Sequence, residues 1–254
     1  MNERQEKIQS FISANGEAKL SELESLFPDI STMTLRRDLE KLESLGGIVR
    51  TRSGAKSIAY LSRLSEARFS ERESINTNEK LSIAQVAYHH IEQENSVFLD
   101  TGTTVTSLSR LLSNDKLFII TTAPIIALEC AKNQNNTVFM TGGQLSSGNL
   151  SLSGVNALSF LDNINIDIAF MGASGFNFSN GFTCGNYDEC QMKKRVIEKA
   201  AKVIMLMDCS KFDKNMPFTF ASLSDIDLLI TDNNIKCEDL ERIQKLGTAV
   251  ELKE

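Results

Sequence analysis

No stretch of this 254-residue chain approaches the roughly eighteen uninterrupted apolar residues of a membrane-spanning helix, and the polar opening MNERQEKIQS lacks the charged-then-apolar order of a secretory signal. No membrane association is expected, and a cytoplasmic protein is. The five cysteines, at 130, 184, 190, 209 and 237, form no Cys-x-x-Cys pair, which argues against a disulfide framework or zinc ribbon and for reduced thiols. There is no Walker loop, no Gly-x-Gly-x-x-Gly fingerprint and no internal repeat. His89-His90 stands without a nearby ligand quartet, so neither metal nor cofactor is expected, and Cys184 and Cys190 read most simply as buried thiols.

What is present suits a folded two-domain chain. Apolar residues make up 41% and charged residues 24% of 28.2 kDa, enough for a core and too much for global disorder. The net charge of −6 is unevenly spread. Residues 1–72 carry 12 Lys+Arg against 11 Asp+Glu, whereas the remainder carries 15 against 22. Within Ile30–Tyr60 six bases face three acids, so contact with nucleic acid is expected from the N-terminal module alone.

Ile8, Phe11 and Ile12 predict a first helix that stops at Asn15-Gly16, and Leu20, Leu23, Leu26 and Phe27 predict a short second one with Ser21 as its cap. Ser31 then caps a third helix reaching Leu45, ended by Gly46-Gly47, with Leu35, Leu39 and Leu42 as its buried stripe. That stripe leaves Met33, Arg36, Arg37 and Glu40 facing outward. A basic hairpin follows, from Ile48–Arg52 through Ser53-Gly54 to Lys56–Leu61, so residues 1–61 read as a winged helix-turn-helix. Residues 62–79, charged and without apolar period, read as a linker.

From residue 80 to 254 short apolar runs alternate with helical patterns. Strands are predicted at 96–99, 117–121, 137–140, 167–171, 202–207, 228–231 and 249–252, and helices near 80–93, 103–113, 124–134, 151–162, 188–200 and 238–246. Such alternation predicts an α/β domain with a Rossmann-like parallel sheet covered by helices on both faces.

Three constellations carry chemistry. Thr34-Leu35-Arg36-Arg37-Asp38-Leu39 combines a buried stripe with exposed donors, as a major-groove helix requires, although Arg-Arg alone is more often a solvated face. Asp100-Thr101-Gly102-Thr103-Thr104 joins a strand to a helix, where glycine lets backbone approach an anion and N–H groups and hydroxyls supply donors; Thr is also an ordinary helix cap. Asp208-Cys209-Ser210-Lys211, with Asp188-Glu189 and Lys193, offers carboxylates and ammoniums able to hold a sugar hydroxyl and a phosphate, or merely an ion pair closing a loop. Thr121-Thr122, Gly142-Gly143 and Gly172 also fall at predicted C-terminal strand ends, the ligand-binding edge of an open parallel sheet.

Ile30–Leu39, Leu45-Gly46 and Arg50–Ala55 resemble the N-terminal signature of DeoR-family transcriptional regulators. The chain departs from it where the family usually has His-Gly-Gly-Ala and Arg52-Ser53-Gly54-Ala55 stands instead. Asp100–Thr104, Gly142-Gly143, Gly154, Asp167–Gly172, Gly181, Glu189, Lys193, Asp208–Lys211 and Thr231-Asp232 resemble the C-terminal sensor domain of that family, similar in fold to ribose-5-phosphate isomerase. Thr121-Thr122 stands where the family often has Thr-Asn.

The resemblance implies a regulator, most often a repressor, of carbohydrate genes. Ser31, Thr32, Thr34, Arg36, Arg37, Arg50 and Arg52 would meet double-stranded operator DNA. Asp100, Thr101, Gly102, Thr103, Thr104, Thr121, Thr122, Gly142, Gly143, Gly172, Glu189, Lys193, Asp208 and Lys211 would hold a phosphorylated sugar effector. Because helix-turn-helix proteins commonly present two heads to two half-sites, a homodimer or homotetramer is expected. No catalytic residue is assigned; the rival is a sugar-phosphate isomerase or deaminase with an accessory DNA-binding head, its acids and bases drawn from Asp100, Glu189, Asp208 and Lys211.

Overall fold

The computed structural model describes residues 3–15, 17–44, 48–51, 54–57, 69–113 and 115–253, which divide into compact units at Ser65/Glu66. The N-terminal unit runs α1 (Glu3–Asn15), β1 (Glu17–Lys19), α2 (Leu20–Leu26), α3 (Thr32–Ser44), β2 (Ile48–Thr51) and β3 (Gly54–Ser57). Ile8, Ile12, Leu23, Leu35, Leu39, Leu42 and Ile48 close one small core, the stripe that the helical spacing predicts. β2 and β3 form the expected antiparallel hairpin, and β1, which the sequence reading missed, adds to β3 in the order β1-β3-β2.

The cap expected for α2 changes here. Ser21 does not cap α2: it lies inside the helix, where its carbonyl accepts from Ser25 Oγ at 2.9 Å. Lys19 precedes the helix, its N–H donating to Glu22 Oε2 at 2.7 Å. Ser31 does take the cap position of α3, its Oγ accepting from the N–H of Thr34 at 3.3 Å. Gly54, expected in the hairpin turn, opens β3, and the predicted helix end at Leu45–Gly47, Arg52-Ser53 and residues 58–61 of the predicted second strand lie outside the described residues.

Of the linker expected at 62–79, residues 62–68 lie outside the described residues, and from residue 69 the chain is mostly helical. α4 (Phe69–Glu73) and α5 (Thr77–Tyr88) both start inside that range. One apolar side chain, Phe69, is buried there, and the buried Lys80 donates its ammonium to the carbonyls of Arg72 and Ile75. Charged residues thus cover a segment that is part of the second unit.

That unit continues with β4 (Ser96–Leu99), α6 (Thr103–Ser109), β5 (Phe118–Thr121), α7 (Pro124–Cys130), β6 (Thr137–Met140), β7 (Gln144–Ser146), β8 (Ser151–Ser153), α8 (Val155–Asp162) and β9 (Ile166–Gly172). It ends with β10 (Gly175–Asn177), β11 (Gly181–Cys184), α9 (Tyr187–Lys199), β12 (Ala200–Leu206), β13 (Phe218–Ala221), β14 (Leu228–Thr231), α10 (Cys237–Lys245) and β15 (Ala249–Leu252). The seven predicted strands form one sheet, β15-β14-β12-β9-β4-β5-β6, parallel throughout.

Alternate residues of each strand feed two cores. Phe98, Ile120, Ala169, Met171 and Met205 pack under α8, α9 and α10, while Val97, Leu99, Ile119, Phe170 and Ile204 pack under α5, α6 and α7. The predicted helix 151–162 is instead β8 followed by α8: Leu152 pairs with Leu145 in the β7–β8 hairpin, and Gly154 separates strand from helix. A second sheet, β10-β11-β13, was also missed; its Phe176, Phe182 and Phe220 complete the first of these cores.

The sheet's order reverses between β4 and β9. The chain moves outward through β5 and β6 on one side and through β12, β14 and β15 on the other, leaving a crevice at the C-terminal ends of β4 and β9. In open parallel sheets such a reversal is where a ligand finds room.

Candidate functional site

The loop leaving β4 builds one wall of that crevice. Gly102 adopts φ 136°, a conformation that a side chain would strain, and turns the chain into α6, whose first N–H groups have no carbonyl of their own helix to bond. Thr106 ties the turn down: its N–H and hydroxyl each donate to the carbonyl of Gly102 at 2.9 Å.

Beneath the loop, Asp100 accepts the N–H of Gly172 at 2.9 Å and a bond from the Lys193 ammonium. Lys193 also donates to the Gly172 carbonyl at 2.9 Å and lies 3.3 Å from Glu189 Oε1, one turn back on α9. Glu189 Oε2 accepts from Asn149 Nδ2 at 2.6 Å, and Thr101 Oγ1 donates to the Asn149 carbonyl at 3.1 Å. α9 is started by Asn186, whose side chain accepts the Glu189 N–H at 3.0 Å.

The side chains of Lys193 and Asp100 are each only 3% exposed. Burial alone would lower the Lys193 pKa; Asp100 and Glu189 outweigh it and hold the ammonium above its ordinary value.

A cleft of about 420 Å³, counting its open mouth, lies over this network. It brings together Thr101, Gly102, Thr103, Thr104, Gly172, Glu189, Lys193, Asp208 and Lys211 of the residues singled out in the sequence. Asp208, at the end of β12, is largely structural: its Oδ1 accepts from Ser210 N–H and from Asn76 Nδ2, each at 3.0 Å, and from the Ser210 hydroxyl.

Asp100 sits below the cleft as the partner of Lys193. Thr121, Thr122, Gly142 and Gly143 are not among its lining residues. Thr121 Oγ1 donates to the Leu99 carbonyl at 2.6 Å, and the Thr122 carbonyl accepts Leu152 N–H at 2.7 Å. Gly143, at φ 100°, lies so close to the hairpin that an added Cβ would fall 2.3 Å from the Ser153 carbonyl oxygen. Thr122 and Gly143 thus meet β8, while the Thr121 hydroxyl bonds within the main sheet.

The sequence reading missed Arg72 and Ser174, which line the cleft, and Asn149, which orients Glu189. Arg72 was hidden in the supposed linker. A polar Asn in a run of Ser, Gly and Leu gives no signal of the contact it makes 40 residues away.

Cys184 and Cys190 are buried, and burial pushes both thiols above the ordinary range. Among the described residues no helix is long and apolar enough to cross a membrane, and no group of three or more His, Cys, Asp or Glu is arranged to hold a metal.

In the N-terminal unit Met33, Arg36, Arg37 and Glu40 are exposed on α3 opposite its buried stripe. Ser31 Oγ and Thr34 Oγ1 lie 2.9 Å apart, and Thr32 donates to Glu24 Oε1 on α2 at 2.6 Å. Arg50 folds back on α3, giving its N–H and Nε to Glu43 at 2.9 and 2.8 Å and another guanidinium N–H to Glu40 at 2.8 Å. Those bonds hold Glu43 below the usual carboxylate range. Arg52 lies outside the described residues. Asp38, which had no assigned role, is buried and receives Arg4 Nε at 2.6 Å and Gln5 Nε2 at 2.8 Å, fastening α1 to α3.

Sequence comparison covers most of the chain. The family profile of the DeoR C terminal sensor domain matches residues 75–233, and that of the DeoR-like helix-turn-helix domain matches residues 4–60. The HTH-type transcriptional regulator GlpR of Haloferax volcanii is 35% identical over 221 residues, covering 87% of this chain and 86% of that protein. The lactose phosphotransferase system repressor of Streptococcus mutans is 30% identical over 252 residues, 98% of each. Among solved structures, a ribose 5-phosphate isomerase from Methanocaldococcus jannaschii aligns at 22% identity with a TM-score of 0.41, over 54% of this chain and 55% of that one.

Proposed function

The chain belongs to the DeoR family of helix-turn-helix transcriptional regulators, and from that premise we propose that it is an operator-binding repressor of carbohydrate genes whose cleft takes a phosphorylated sugar. The observation that carries the sensor half is the cleft at the sheet's reversal point. There the Gly102 turn, the Thr103 and Thr104 hydroxyls and the Lys211 and Arg72 side chains border one space above a closed ionic floor. Backbone N–H groups and two cations suit a phosphate, and the Glu189 carboxylate suits sugar hydroxyls.

On the DNA side, Arg36 and Arg37 are the groove-facing donors of α3, and Ser31, Thr32 and Thr34 position its first turn. Arg50, held by two carboxylates, would have to exchange them for phosphate, so its share in DNA contact is smaller than that of Arg37. A dimer or tetramer supplies two heads for two half-sites.

Turnover is the weaker reading. Of the acids and bases that reading draws on, Asp100 and Glu189 are paired with the buried Lys193, and Asp208 Oδ1 accepts from Ser210 and Asn76. The test is a thermal-shift screen of sugar phosphates, followed by titration of an operator selected from random duplexes at fixed salt, with and without each hit. A hit that alters operator affinity and is recovered unchanged fits the proposal; conversion to product favours the enzyme.

A further inference from the structure

Asn133 to Leu161 is a run of 29 residues without one Asp, Glu, Lys, Arg or His, the longest such run in a chain that is 24% charged. It forms β6, which ends the seven-stranded sheet, the separate β7–β8 hairpin and most of α8. β6 is the last strand there and pairs only with β5 among the described residues. The N–H groups of Thr137 and Thr141 donate inward to Leu117 and Thr121, so by the alternation of a parallel ladder the N–H and C=O groups of Val138 and Met140 point outward.

Apolar side chains surround this open edge. Phe118, Phe139, Met140 and Leu145 are each between 42% and 52% exposed. The register opposes Ile120 to Phe139, which puts Phe118 and Phe139 on one face of the sheet.

The opposite edge is guarded. β15 carries Glu251, which accepts from His90 Nε2 at 2.8 Å, and is followed by Lys253, which donates to Gln85 Oε1 at 2.6 Å. Soluble proteins commonly protect an exposed strand edge with charge, and β6 has none.

We propose that the outer edge of β6 is a two-fold interface at which a second copy of this chain docks, β6 running antiparallel to β6 of the partner subunit. Charge selects that occupant. Residues 73–254 carry 15 Lys+Arg against 22 Asp+Glu, so two copies repel over much of their surface and approach most easily where charge is missing from both. A two-fold axis through β6 brings the same uncharged surface to itself, bonds the outward Val138 and Met140 groups antiparallel and covers both Phe139 rings. Depletion of charge at the centre of the patch is also the compositional mark of an interface core. The inference rests on the reading of the protein as a two-headed regulator and names the surface that joins the heads.

Sedimentation equilibrium of the full chain, without DNA or sugar, tests it. The wild type is expected as a dimer or a multiple of one. Phe139→Lys and Phe139→Glu each place like charges across the axis and should halve that mass, and an equimolar mixture of the two should restore it. Met140→Lys, a change at another half-exposed side chain, should also halve the mass and serves if a Phe139 variant does not fold. A monomeric wild type, a folded charge variant of unchanged mass, or a mixture that stays at half mass would overturn the interface. A monomeric wild type would also remove the paired heads of the proposed function, whereas a folded charge variant of unchanged mass, or a mixture that stays at half mass, would overturn the interface alone; sugar binding is measured separately.

Discussion

The ion pairs beside the outward face of α3 lie at the surface, whereas those beneath the sensor cleft are buried. Arg50 meets Glu40 and Glu43 with all three side chains 38–57% exposed, and Arg36 and Arg37 stand in solvent on α3. In the sensor, Lys193, Asp100 and Glu189 meet at 3–7% side-chain exposure, joined to Gly172 and Asn149 by further hydrogen bonds. Exposed pairs are screened and easily exchanged, which suits a surface that must trade its partners for DNA phosphate. A buried network cannot exchange without cost, and suits the fixed floor of a binding cleft.

If that contrast holds, removing the charge of Lys193 is the largest single perturbation. Lys193→Met should destabilise the sensor by about 3–5 kcal/mol, because two carboxylates are left buried without their cation; urea unfolding would measure it. The raised Lys193 pKa sets the sign with pH: the stabilisation is complete at neutral pH and is lost only as pH rises beyond the ordinary lysine range through the folded value. Unfolding of the wild type measured from neutral pH into the alkaline range should therefore show stability that holds and then declines.

Next in size is Arg37→Ala, which should weaken operator binding by about 1–3 kcal/mol if Arg37 reads a base, with sensor stability unchanged. A gel-shift titration at one salt concentration gives the number. Of similar size but opposite location, Gly143→Ala should cost the sensor about 1–3 kcal/mol, since φ 100° and the Ser153 carbonyl both exclude a Cβ. Its thermal unfolding should fall while operator affinity of the folded protein stays.

The smallest effect is expected at Arg50→Ala. Its partners are exposed, so the melting temperature should hardly move, and only the salt dependence of DNA binding should change. Lowering the pH through the depressed range of Glu43 should act in the opposite sense in the wild type, because protonating Glu43 removes one of Arg50's two carboxylate partners and frees its guanidinium for phosphate.

The same contrast explains what could be read without coordinates. The buried strands were legible because runs such as Val97-Phe98-Leu99 and Leu228-Leu229-Ile230 feed both cores and leave no alternative. The exposed face of α3 was legible from the spacing of Leu35, Leu39 and Leu42. Four elements were hidden for local reasons: Ser151-Leu152-Ser153 is too short to separate from the helix after it, β10 and β11 are short strands beside glycines, and α4 is mostly charged with one buried anchor, Phe69.

At the cleft, residue type and strand-end position picked out the Thr101–Thr104 loop, Lys193 and Lys211. They could not separate the side chains that line the space from those that support it. Asp100 is under Lys193, and Thr122 and Gly143 meet β8, because which residue faces a ligand is decided by contacts from Asn149, Leu152 and Ser153 distant in the chain.

Operator affinity of the wild type and of Thr103→Glu, titrated against the phosphorylated sugar that stabilises the protein and against the same sugar without its phosphate, probes the cleft most directly. The phosphorylated form alone should shift wild-type affinity, and the added carboxylate at position 103 should abolish that shift while leaving DNA binding intact. An equal response to the unphosphorylated sugar, or a full response in Thr103→Glu, would contradict the assignment of the Gly102 turn as the phosphate seat.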